Sequence, residues 1–266
     1  MNRFQFFMIH ALSGKLILEL NEMLEKYHRT LQEIFMAIQG KLRPIHFRGM
    51  PLVTICIPTR NEERFIGQAL YAIRKINIYP RVEIIVIDQE STDKTIKIAK
   101  GYGAKIITLE YKMPPKIGIS RHVCSLEARG EIIVQIDADT VITPFVIPRA
   151  VIYLTQNDIG IYHVSHYYYD GDLLLNLIAH YYDKYFRKPH STTGHFIAYT
   201  KTLYNYVQFD PNITLGAEDY DFGKRTSKKF GEWVFKFDKE IAVLVSSRGY
   251  KRRGLLTNLD YLLRST

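Results

Sequence analysis

Two carboxylates one residue apart, Asp137 and Asp139 on either side of Ala138, close the run Glu131-Ile-Ile-Val-Gln-Ile-Asp-Ala-Asp139. One such group can hold a divalent cation while the other accepts hydrogen bonds from a sugar hydroxyl. Hard cations such as Mg²⁺ and Mn²⁺ prefer oxygen ligands and bridge to substrate phosphates. Alone, the triplet is common in surface turns. Here it ends an apolar stretch that reads as a buried strand, and ligands of open α/β sheets bind outside the carboxyl ends of the strands.

The elements that must position these acids are legible upstream. Leu52 to Pro58 is a short apolar, β-branched run, followed by Thr59-Arg60-Asn61-Glu62 and a helical pattern through Phe65, Ile66, Ala69, Leu70 and Ile73. Val82 to Asp88 is a second strand ending in an acid. Ser91-Thr92-Asp93 offers side chains to cap a helix start, and Gly101 and Gly103 end that helix. Ala104–Leu109 reads as a third strand, Ile117–Ala128 as a third helix and Glu131–Ile136 as a fourth strand. Beyond the acids, helices are expected over Pro144–Leu154 and Leu173–Phe186, and strands over Ile159–Tyr169 and Ile241–Val245. Strands alternating with helices predict an α/β fold, a mostly parallel sheet flanked by helices.

Taken together, these motifs resemble family 2 glycosyltransferases of the GT-A fold. Pro58-Thr-Arg-Asn-Glu62, Asp88-Gln-Glu-Ser-Thr-Asp93, Gly118-Ile-Ser-Arg121, Ala128-Arg-Gly-Glu131 and Asp137-Ala-Asp139 stand in the family's order and spacing. Gly216-Ala-Glu-Asp219 resembles its Glu-Asp motif, and Ser246-Ser247-Arg248 with Arg252 and Gly254 its C-terminal basic segment. The resemblance implies that Pro58, Thr59, Asn61 and Glu62 border the nucleotide base, that Asp88 accepts a hydrogen bond from it, and that Arg121 holds the nucleotide. Asp137 and Ala138 would face the ribose, Asp137 and Asp139 the metal (Mn²⁺ or Mg²⁺), and Arg248 and Arg252 the diphosphate. Asp219 would be the general base of an inverting transfer, with Glu218 orienting it or the acceptor. Two departures stand out. Gln89-Glu90 precedes Ser91 where the family has a glycine before the serine, and His122 stands where an asparagine is usual.

The assignments are chemically coherent. A leaving diphosphate needs neutralising by metal or arginine, the acceptor hydroxyl needs a base, and the donor needs orienting. Blander readings compete. Asp88 could end its strand and cap the next helix, Arg121 could lie on a solvated face, and Glu218-Asp219 could be an acidic first turn that suits the helix dipole. Among the histidines at 163, 166, 190 and 195, a structural or surface role is expected of each. His195, on the run Gly194–Tyr199, is the candidate for the acceptor site.

The chain has 266 residues, enough for one full domain with an appendage, and 36 Lys and Arg against 27 Asp and Glu give a net charge of +9. That balance favours anionic partners: a nucleoside-diphosphate sugar, lipid phosphate or an anionic membrane. No nucleic-acid motif accompanies it. Cys56 and Cys124 read as buried thiols with no disulfide framework or zinc site. Residues 1–48 read as amphipathic helices outside a 51–255 transferase domain, with 256–266 a tail. Charged residues interrupt the apolar stripe, so no uncharged run reaches the ~20 residues of a membrane span. The segment is expected to cover the domain, form a homodimer contact or lie on a membrane, which places the protein in the cytoplasm or peripherally on the inner face of a membrane. The reading is a metal-dependent glycosyltransferase acting on an acceptor glycan, lipid phosphate or protein. The alternatives are a retaining transferase of the same fold and a non-catalytic nucleotide- or sugar-binding protein. A sugar-phosphate nucleotidyltransferase would need a Gly-rich loop where Pro58–Glu62 stands.

Overall fold

The structure is a computed structural model that describes residues 15–110, 117–156, 158–213 and 217–249. Its elements are α1 (Lys15–Ile38), β1 (Val53–Thr59), α2 (Ile66–Tyr71), β2 (Val82–Asp88), α3 (Thr95–Gly101), β3 (Lys105–Thr108), α4 (Ile117–Glu127) and β4 (Ile132–Gln135). There follow α5 (Val146–Gln156), β5 (Ile161–Tyr168), α6 (Leu173–Tyr185), β6 (Ile197–Thr200), α7 (Lys201–Tyr204), α8 (Glu218–Phe230) and β7 (Phe235–Val245).

The seven strands form one sheet in the order β3-β2-β1-β4-β6-β5-β7. β1 to β4 are mutually parallel, and β6 alone runs against its neighbours β4 and β5. Parallel central strands are covered on both faces, which is why β1 and β2 read as near-continuous apolar runs. Alternation splits β1 between the two faces: Ile55 and Ile57 pack into the core layer with α2 and α5, and Cys56 into the layer beneath α4 and α8.

The chain winds outward from β1 to β3 and then returns to place β4 on β1's other side. That reversal opens a crevice between the carboxyl ends of β1 and β4, the expected ligand position in such sheets. The register Thr59↔Asp88 and Cys56↔Gln135 sets the loop after β1 between Asp88 and the Asp137–Asp139 turn. Because β6 is antiparallel and pairs Ile197 with Gln135, the residues leading into it arrive at the same edge.

Three expectations are corrected or refined. Cys56 and Cys124 are not thiols: they form a disulfide across 68 residues with Cα atoms 5.9 Å apart. β1 and α4 turn these two fully buried side chains toward each other, a juxtaposition no sequence spacing signals. Closing that loop contributes on the order of 4 kcal/mol in the chain-entropy picture. Second, α3 starts at Thr95, just after Ser91–Asp93: Asp93 does accept from the Thr95 N–H at 2.9 Å, as a helix-start side chain should, while Ser91 and Asp93 also bind the loop after β1. Third, β7 starts at Phe235, six residues before Ile241. Its charged stretch disguises it, for Asp238 is buried against Arg149 at 2.6 Å, and the pairing skips from Val164↔Asp238 to Ser165↔Ala242.

α1 packs one face on the domain. Met23 is buried with Leu16, Leu20 and Tyr27 beside Tyr167, Leu177 and Leu244, and Lys184 of α6 reaches both oxygens of Glu19 at 3.0 Å. Ile17, Leu24, Leu31, Phe35 and Ile38 form an exposed stripe about a quarter-turn round the helix from that face. No helix among the described residues is long and apolar enough to cross a membrane.

Candidate active site

The loops after β1 and β2 are laced together. Asn61 receives Thr92 N–H on its side-chain oxygen at 2.8 Å and donates its own N–H to Ser91 Oγ at 2.8 Å. Glu62 N–H donates to Thr95 Oγ1 at 2.7 Å, and Glu63 N–H to Asp93 at 3.1 Å. Asn61 and Glu90 adopt left-handed backbone, with φ of +54° and +53°. That explains why a glycine suits the position of Glu90, where an L-side chain costs roughly 1–2 kcal/mol. Asp88 is fully buried and accepts from Ser91 N–H at 2.9 Å and Ser91 O–H at 2.5 Å, fixing this turn.

Arg121 is the hub of the site. It lies on the sheet-facing side of α4, 1% exposed, so the solvated-face reading fails. Its Nη2 donates to Asp137 Oδ1 at 2.7 Å and its Nε to Glu218 Oε1 at 3.2 Å. A buried guanidinium thus ties the acid after β4 to the acid pair opening α8. The neighbouring backbone is close: a Cβ on Gly194 would fall 2.2 Å from Arg121 Nη2 and 3.0 Å from Asp137 Oδ1. Gly194 therefore lets the entry to β6 close over the ion pair, and its N–H donates to Asp219 Oδ2 at 2.6 Å. In the sequence Gly194 only opens an apolar run, and nothing there signals this close approach.

His195 reaches Asp137 Oδ2 through Nδ1 at 3.2 Å, and its ring lies 4.6 Å from that of His166. Burial and the nearby charge of His195 push His166 well below the ordinary histidine range. Burial opposes charge on His195 as well, but Asp137 outweighs it and raises that imidazole. Burial likewise opposes ionisation of Asp137, yet Arg121 and His195 hold its carboxyl well below the usual range. Asp139 shifts upward, from burial and then from the charge of Asp137. Asp219, buried beside Glu218, is pushed up to about 6. Pairs of carboxylates driven apart in this way are a common sign of divided catalytic roles.

A second arginine enters from the far end of β7. Arg248 donates through Nε to Asp139 Oδ2 at 2.7 Å and through its fork to both oxygens of Glu62 at 2.5 and 2.9 Å. Its guanidinium lies 4.4 Å from the centre of the Phe65 ring. Pro58 and Thr59 end β1 at the same edge, while Ala138, between the two acids of the turn after β4, packs into the core layer with Ile57. The site thus gathers five carboxylates (Glu62, Asp137, Asp139, Glu218 and Asp219) around two guanidiniums, a surplus of oxygen donors suited to a hard cation. Arg252, Gly216 and Gly254 lie outside the described residues.

Residues 54–213 match the sequence profile of glycosyl transferase family 2. Over 152 residues, 53% of this chain, the protein is 30% identical to the 4,4'-diaponeurosporenoate glycosyltransferase of Staphylococcus aureus strain USA300, and the chain spans 40% of that relative's length. Its fold is similar to that of the Pyrobaculum calidifontis mannosyltransferase PcManGT, solved with GDP-Man and Mn²⁺ (TM-score 0.58, 21% identity, 89% of this chain and 71% of that one). It is equally similar to Mycobacterium tuberculosis glucosyl-3-phosphoglycerate synthase (TM-score 0.58, 21% identity, 81% and 80%). With most of its length inside the profile match, including β2 to β6 and all of β1 but Val53, this chain belongs to glycosyl transferase family 2, an enzyme family with the GT-A fold.

Proposed function

We propose that the protein transfers a sugar from a UDP- or GDP-sugar to an acceptor hydroxyl or lipid phosphate with inversion at the anomeric carbon, assisted by Mn²⁺ or Mg²⁺. The observation that carries this reading is the Arg121 bridge, which brings the Asp137–Asp139 turn and the Glu218–Asp219 pair to one crevice. Asp139 and Asp137 would hold the cation, which when bound neutralises the departing diphosphate. Mn²⁺ with GDP-Man in PcManGT and with UDP-Glc in glucosyl-3-phosphoglycerate synthase supports that assignment.

The chain's own residues account for the remaining steps. The interlaced loops from Pro58 to Glu62 and from Asp88 to Ser91 seat the base, with Asp88 acting through the turn it fixes. Asp219 takes the acceptor's proton; the freed oxygen attacks the anomeric carbon as the bond to the diphosphate breaks and the diphosphate leaves with the electron pair. A carboxyl raised to about 6 is ionised at neutral pH and still basic enough to accept that proton. Gly194 N–H and the Tyr220 N–H, at 2.6 and 2.7 Å, aim this carboxylate. His195 borders the acceptor side beside Asp137.

The test is release of nucleoside diphosphate from a panel of UDP- and GDP-sugars with Mn²⁺, repeated on Asp219→Asn. The variant should bind donor and lose about 10² to 10⁴ in turnover with acceptor. Parental turnover in the variant would remove Asp219 from the mechanism, and a product that keeps the donor's anomeric configuration would favour a retaining transfer.

A further inference from the structure

Arg248 is held by three contacts of different kinds. Its Nε is on Asp139, its fork is on Glu62, and its plane lies over Phe65. The turn that presents it is itself pinned, because Asp170 accepts from Ser246 O–H at 2.9 Å and from Ser247 N–H at 2.5 Å. The side chain is nevertheless 39% exposed, whereas Arg121 is shut inside at 1%. A positive charge therefore rests on an oxygen of Asp139, the acid assigned to the cation in the proposed function.

We propose that Arg248 is a resident stand-in for the cation: it closes the donor site while no nucleotide is present and gives way only when metal and nucleoside diphosphate arrive together. The inference rests on the metal reading above. The chemistry of exchange is balanced. A guanidinium fork binds phosphate in the same bidentate way as carboxylate, so the diphosphate offers Arg248 a new partner as it leaves Glu62 and Asp139. A divalent cation alone offers it none. Bare cation must therefore displace an ion pair from Asp139, while cation with nucleotide need not leave the guanidinium unpaired. Such coupling is reciprocal: nucleotide raises metal affinity by the factor by which metal raises nucleotide affinity. Arg248 is a positioning residue in this account, setting the order of binding and touching no reacting atom.

The experiment measures Mn²⁺ binding to the full chain by electron paramagnetic resonance, with and without UDP or GDP, on the parent, Arg248→Ala and Arg248→Gln. The second variant is shorter and uncharged but keeps a polar amide, so a folding defect in one leaves the other to decide. Without nucleotide, Mn²⁺ should bind both variants at least about ten-fold more tightly than the parent. The factor by which nucleotide improves Mn²⁺ binding should shrink correspondingly. Equal affinities for bare Mn²⁺ across the three proteins, with Mn²⁺–nucleotide binding intact, would overturn the stand-in role alone. No Mn²⁺ binding to any of them, even with nucleotide, would overturn the metal reading and this inference with it.

Discussion

Arg121 and Arg248 each pair with one aspartate of the same Asp-Ala-Asp turn, but in opposite surroundings. Arg121 sits beneath the crevice, buried between Asp137 and Glu218. Arg248 crosses its mouth, half in solvent, between Asp139 and Glu62. The same chemistry serves two ends because burial decides what removal costs. A buried ion pair that loses one partner strands a charge in low dielectric, whereas a half-exposed guanidinium can exchange its partner for water or ligand. The first is a strut, and the second a latch.

The largest expected effect follows from that contrast. By denaturant unfolding at neutral pH, Arg121→Met should lose about 3–5 kcal/mol of stability and Arg248→Ala about 1–2 kcal/mol, because in the second pairing only the guanidinium is half exposed. Comparable losses would erase the distinction.

Gly194→Ala probes the strut without removing it. The added methyl meets Arg121 Nη2, whose guanidinium has no room to retreat. A loss of about 1–3 kcal/mol is expected, with nucleotide binding weakened as Asp137 loses its partner. Unchanged binding would show that the bridge does not organise the donor site.

Protons sharpen the comparison further. Burial next to Glu218 lifts Asp219 in the folded state from 3.8 to about 6. The stability from this shift is present below the unfolded value and is lost as pH rises through about 6, so ionising Asp219 weakens the fold. Turnover runs the other way, because the base must be ionised. The kcat/KM profile should fall about ten-fold per unit below pH 6, and Asp219→Asn should lose rate while gaining stability at pH 8. An acid limb near pH 4 would contradict the raised carboxyl.

The smallest effect concerns α1, where an exposed apolar stripe flanks the buried face. We propose that the stripe of Ile17, Leu24, Leu31 and Phe35 rests on anionic lipid, aided by the acid-free stretch Lys41–Arg48. Leu24→Ser with Leu31→Ser should reduce co-sedimentation with anionic liposomes and leave stability within about 0.5 kcal/mol. If the parent chain does not sediment and is dimeric by light scattering, the stripe is a dimer contact.

The same contrast bears on what the sequence made legible. β1 to β4 and their loops were readable because motif and element are contiguous: Asp88 ends its strand, Asp137 follows its own, and Thr59–Glu62 opens the next helix. The second half of the site is built from residues far apart in the chain. Arg121 meets Glu218 across 97 positions and Arg248 meets Glu62 across 186, pairings that only the sheet order creates. β7 was half hidden because Lys236, Asp238, Lys239 and Glu240 interrupt its apolar alternation. The Cys56–Cys124 bond was missed for the same reason as Gly194's role: each depends on which faces of β1, α4 and β6 meet.

The central claim, a donor site organised about a cation at Asp139, is tested most directly by calorimetry. UDP and GDP are titrated with and without Mn²⁺ into the parent and Asp139→Asn. Parental binding of the preferred nucleotide should require Mn²⁺, and the variant should lose at least about ten-fold in affinity when Mn²⁺ is present. Equal affinities in all four titrations would contradict the account.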